Sequence, residues 1–121
     1  MNNAPFTPTF LRERLILRAT LEALLATGYA VKIDDGMETS PELRNPQEGI
    51  EWVLWRDTAN NRVLWNLDDW HVLAERQGTD HGFVWFIVSN GNGGRDVISD
   101  YSCSLSEYVE PIIDGPLCND L

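Results

Sequence analysis

Leucines at 11, 15, 21, 24 and 25, with polar residues between them, keep a near-helical spacing that predicts an amphipathic helix over 8–27. Thr7 stands as its N-cap and Pro8 at the first helical position, where a missing N–H costs nothing. In "ATGY", Gly28 can take the left-handed conformation that ends a helix. "YAVKIDDG" then sets Tyr29, Val31 and Ile33 against Ala30, Lys32 and Asp34, which predicts a half-buried strand closing in an Asp-Gly turn. "METSPELR" is polar and holds a proline, so it reads as a loop. Asn45, Pro46 and Glu48 supply the cap, the first position and the back-reaching carboxylate of a second helix over about 46–57. A strand is the rival reading, because "EWVLWRD" is rich in aromatic and branched residues, and Gly49 costs a helix about 1 kcal/mol relative to Ala.

Beyond Asn60 the pattern turns β-like. "RVLWNL" and "WHVLAER" are short apolar-rich runs, "GFVWFIV" is continuous and "DVISDYS" alternates, together an antiparallel meander. The continuous run predicts a central strand covered on both faces by helices. Between the last two runs "SNGNGG" reads as a glycine-permitted hairpin connection. Ser104 and Glu107 have capping-box spacing, and Pro111 restricts this last segment to a short or kinked helix over about 105–114. The expectation is one α+β domain over residues 1–121, an antiparallel sheet of four or five strands packed against two or three helices.

Charge narrows the partners. Nine Lys and Arg against nineteen Asp and Glu give −10, a surface that repels nucleic-acid phosphates and acidic membranes. Residues 61–121 hold three basic and ten acidic side chains, spread among elements as decoration of a folded surface. Asp96, Asp100, Glu107 and Glu110 are the candidate acidic face. No basic leader followed by an apolar stretch opens the chain, and two cysteines, Cys103 and Cys118, are too few to staple it, so a cytoplasmic setting with reduced thiols is expected.

Candidate chemistry is sparse. "GNGGRDVIS" lacks both the GK[ST] ending and the following helix of a phosphate loop, and Asn90, Asn92 and Asp96 fall short of a calcium-loop pattern. His71 and His81, with Asp68 and Asp69, could form an open metal site of a metal-assisted hydrolase, although no HxH or HExxH spacing is present. GxSxG is absent, so a nucleophilic triad has no motif behind it. Five tryptophans are conspicuous; Trp52 and Trp55, three apart on the expected second helix, would share a face as an aromatic patch for a partner. "HGFVWFIV" echoes an RNA-recognition strand, but it lacks the leading Lys or Arg, Val84 stands where Gly or Ala belongs, and the acidity argues against RNA.

Two segments carry a resemblance. Gly82 to Val84, the Asn90 to Gly94 turn and Asp96 to Ser102, with "LLATGYAVKIDDG" near the start, resemble small uncharacterised proteins encoded by phages, prophages and plasmids. The resemblance implies an α+β domain on a mobile element, and it implies no activity and no catalytic residues.

These readings converge on a non-catalytic module that binds a protein partner, its acidic face imitating nucleic-acid charge, with no cofactor, no direct nucleic-acid contact and no membrane. The alternatives are the metal-assisted hydrolase and a self-associating structural module that forms a homodimer through exposed Trp or a strand edge.

Overall fold

A computed structural model describes residues 8–78, 80–88 and 96–119. Thr7, the expected N-cap, and the glycine loop at 89–95 lie outside the described residues. Helix α1 (Pro8–Ala26) buries Phe10, Glu13, Leu17, Thr20, Leu21 and Leu24, positions that recur three or four apart. Leu11 and Leu15, expected in the apolar stripe, are 43% and 50% exposed on the other side. On the buried side, Glu13 is a carboxylate held inside, and the Trp65 indole N–H donates to its Oε1 at 2.7 Å. The helix ends in a Schellman motif: Gly28 has φ +91°, its N–H donates to Leu25 O, and Tyr29 N–H donates to Leu24 O.

Strand β1 (Ala30–Asp34) comes next and turns at Gly36, where the Asp34 and Asp35 carboxylates accept backbone N–H groups of the turn. The returning loop runs back along β1: Ser40 N–H donates to Ile33 O and Leu43 N–H to Val31 O, so this sheet edge is covered. Helix α2 (Pro46–Trp52) starts as its sequence indicates, Asn45 Oδ1 accepting the Glu48 N–H at 3.0 Å, while Glu48 reaches back to the N–H of Arg44.

That helix does not run to residue 57. It stops at Trp52, and β2 (Leu54–Asp57) pairs antiparallel with β3 (Arg62–Trp65) in a separate two-stranded sheet. Cap signals decide where a helix begins, but the branched and aromatic residues beyond Val53 gain more from cross-strand partners than from further turns. Residues 62–65 therefore belong to this hairpin and not to the meander. Gly49 is required by packing: a Cβ there would lie 2.7 Å from Leu21 Cδ1, 2.8 Å from Leu43 Cδ1 and 3.2 Å from Ile33 Cδ1. Gly49→Ala is therefore expected to lower stability by about 1 kcal/mol in urea unfolding, overpacking outweighing the gain in helix propensity.

The main sheet has the order β1-β4-β5-β6, all antiparallel, with β4 (Asp69–Arg76), β5 (Asp80–Ile87) and β6 (Ile98–Tyr101) as the meander. A 3-10 turn (Cys103–Leu105) then leads into α3 (Ser106–Ile113) and α4 (Pro116–Asn119). The expected capping box is not made: Ser104 Oγ donates to His81 O, and no side chain caps α3. Pro111 sits inside α3, close enough to its end that one lost N–H is tolerated.

The helices and the 3-10 turn pack on one face only. Val31, Ile33, Trp70, Val72, Val84 and Phe86 point inward and are buried, whereas Leu73, Phe83, Trp85 and Ile87 on the opposite face are half-buried. The expectation of helices on both faces of β5 is thus corrected. Its continuous apolar run arises because the outer positions are aromatic and aliphatic as well. Ala74 and Gly82, paired across β4 and β5, are small because Leu105 and the 3-10 turn press on the sheet there; a Cβ on Gly82 would approach Ser102 Cβ to 2.9 Å. The α+β class itself, a four-stranded antiparallel sheet packed against helices, matches the expectation, with four described helices where two or three were expected. No described helix is long and apolar enough to cross a membrane.

Candidate functional site

Strand register arranges the outer face of the sheet in rows. One row crosses all four strands as Asp34, His71, Trp85 and Asp100. Beside it run Lys32, Leu73 and Phe83, then Ala30, Glu75 and His81; on the other side, Asp69 pairs with Ile87. Period-two alternation forces this segregation, since whatever is not turned to the helices must stand here.

Trp85 is the fixed centre of the face. Its indole N–H donates to Asp69 Oδ2 at 2.9 Å, and the His71 ring lies parallel to it within 2°, centroids 5.6 Å apart. Phe83 approaches His71 at the same centroid distance. An indole held by a carboxylate and a stacked ring keeps one rotamer, so it presents a preorganised surface. Lys32, Leu73, Glu75 and His81 line a shallow cleft of about 360 Å³ next to it. Counting outer positions, Asp34, Asp69, Glu75 and Asp100 oppose the single ammonium of Lys32.

The expected acidic residues divide. Asp100, exposed on β6, accepts the Tyr101 backbone N–H at 2.9 Å, and the Tyr101 hydroxyl donates to Glu110 Oε2 at 2.8 Å. That bond to Glu110 raises the Tyr101 phenol above its ordinary pKa. Glu107 and Glu110 on α3 and Asp114, which caps its C-terminus, recur three and four apart, so an acidic stripe flanks the β6 edge. Asp96 stands apart: it lies at the far end of β6, within electrostatic reach of the Cys118 thiol, whose pKa is raised first by burial.

Trp52 and Trp55 do not share a helical face. Trp52 closes α2, half-buried between two shallow clefts of about 510 and 400 Å³, whereas Trp55 stands on β2 and is 49% exposed. The metal constellation is not assembled either. His71 and His81 share the outer face but sit four residues apart along the ladder, about 13 Å at strand rise. Asp69 is engaged by Trp85, and among the described residues no three His, Cys, Asp or Glu gather as metal ligands. Cys103 is exposed and Cys118 buried, both as free thiols.

Sequence reasoning names His71 only as a metal ligand and passes over Phe83 and Trp85 as functional residues. The available signal is the alternation in "DWHVLAER", with Trp70, Val72 and Ala74 against His71, Leu73 and Glu75, which fixes the outer face of β4 and, by pairing, that of β5.

Comparison with protein-family models, with curated proteins and with solved structures finds no match to this chain. The fold and the face together define a two-layer α+β domain with one sheet face uncovered by any described element.

Proposed function

We propose that this chain is a non-catalytic protein-binding module whose partner is basic, engaged through the uncovered sheet face and the acidic β6–α3 edge beside it. The observation that carries this reading is the patch of His71, Phe83 and Trp85 on a sheet face that the helices leave open. An antiparallel sheet can leave one face to water, but a contiguous aromatic patch rimmed by charge, as here, is the composition of an interface. The −10 net charge supports imitation of nucleic-acid phosphate as the means of attracting a basic groove. A mobile-element origin, implied by the likeness of Gly82–Val84 and Asp96–Ser102, would give such a module a target among the DNA-handling proteins of a host.

The test is affinity capture by the tagged full chain from host-cell lysate, washed at low and high salt, with the retained protein identified and its affinity then measured in purified form. A basic partner is expected, and the D100N/E107Q/E110Q variant should bind it about tenfold more weakly at low salt, the combined effect of three rim charges. Affinity independent of both salt and these substitutions would sink the charge-imitation reading.

A further inference from the structure

Trp85 has one edge and one side already committed, to Asp69 and His71. On the β6 side its cross-strand partner is Asp100, next to a β-bulge that falls between Trp85 and Phe86. Cross-strand partners stand about 5 Å apart at Cβ, which brings the Asp100 carboxylate within reach of a cation seated on the indole. We propose that the Trp85 and Asp100 pair is an arginine anchor: the guanidinium of a basic segment of the partner stacks on the indole and donates to the Asp100 carboxylate, while the segment's apolar side chains cover Leu73 and Phe83. This rests on the reading that the face binds a basic partner, and it specifies the chemistry recognised.

Charge and shape select this occupant. Four carboxylates against one ammonium on the outer positions exclude a phosphate backbone, and a second copy of the chain would bring the same carboxylates into opposition. Between cations, Lys offers a compact and strongly hydrated charge. Arg offers a planar, weakly hydrated fork that can lie on an indole and donate two parallel hydrogen bonds to a carboxylate. Prior fixing of the indole by Asp69 and His71 means that little rotamer freedom remains to be lost on binding.

Hexa-arginine and hexa-lysine peptides provide the probe, titrated into the 15N-labelled full chain and followed through the Trp85 indole N–H and the β4 and β5 amides. Hexa-arginine is expected to bind about fivefold tighter than hexa-lysine and to shift the Trp85 resonance. Trp85→Leu should erase that preference. Asp100→Asn leaves the indole and its Asp69 bond in place, so it tests the anchor independently of the Leu variant's fold, and it should weaken hexa-arginine severalfold. Equal affinity for the two peptides, with shifts confined to Glu107 and Glu110 on α3 and Asp114 at its C-terminus, would overturn the anchor while leaving the basic-partner reading intact. No binding of either peptide at low salt would overturn both. Shifts on this face that depend on protein concentration without peptide would also overturn the anchor, by making the face a contact between copies.

Discussion

Trp70→Ala is expected to lower the unfolding free energy by about 3–5 kcal/mol, a large fraction of what a domain of this size possesses. Trp70 is 1% exposed and joins three parts of the molecule. Its ring stacks on Phe86 of β5 at 5.9 Å and meets Trp65 of the hairpin at 5.1 Å, and Trp65 in turn meets Phe10 of α1 at 4.9 Å. Truncation opens a cavity where sheet, hairpin and helix converge, and none of the three can close it alone. Trp70→Phe should cost far less, about 1 kcal/mol: it keeps a ring against Phe86 and removes an indole N–H that is buried with no acceptor among the described residues. Trp85→Ala, on the open face, should cost clearly less, about 1–2 kcal/mol, since the half-buried indole loses less contact with water on folding. Urea unfolding monitored by circular dichroism checks all three. A Trp85 loss equal to the Trp70 loss would contradict the assignment of inner and outer faces.

These three variants also mark where the sequence is legible. Strong local codes come through: the Gly28 stop, the Asn45 cap and the alternation of β1 all act within a few residues. The second helix departs from expectation beyond Trp52 because its fate depends on Arg62–Trp65, a partner that no local window contains. The outer face is hidden for a related reason. Phe83, Trp85 and Ile87 are apolar like their inward neighbours, so the run "GFVWFIV" carries no alternation to read, and only its pairing with β4 separates the sides. Leu11 and Leu15 mislead in the opposite direction: leucine at helical spacing signals core, yet both stand on the exposed side while Glu13 is buried, its acceptability depending on an indole 52 residues away. The candidate site escapes notice for the same physical cause, since a row such as Asp34, His71, Trp85 and Asp100 exists only across strands.

Arg76→Ala is expected to lower the melting temperature by about 8 °C, because one guanidinium there serves three neighbours. Its Nε and Nη2 hold Asp80 Oδ2 at 2.9 and 2.8 Å, its Nη1 donates to Thr27 O at 2.7 Å, and its central carbon lies 4.3 Å from the Tyr29 ring centroid. The Thr27 contact matters because α1 has no basic residue in its last turn. Arg76 thus brings a cation to the C-terminal end of the helix dipole from the β4–β5 hairpin. Side-chain exposures of 34% and 33% for Arg76 and Asp80 keep the ion pair partly in water and hold the cost near the lower end for charged hydrogen bonds. Arg76→Lys should recover only part of the loss, as an ammonium cannot hold Asp80 and the Thr27 carbonyl in the same geometry. Tyr29 gives the cluster a pH signature. Burial first, and then the hydrogen bond from its hydroxyl to Asp80 Oδ1, raise the Tyr29 phenol above its ordinary value. The folded state therefore keeps this proton longer than the unfolded chain, so the contribution is full below about pH 10 and drains away as pH rises through the raised value. Tyr101, raised by Glu110, adds a second loss of the same sign. Above about pH 10 the wild-type chain should lose stability, and Tyr29→Phe should show a shallower slope from a lower starting point. Equal slopes would mean that Tyr29 is no more protonated in the folded state than in the unfolded one, and that the Arg76 cluster leaves it open to water.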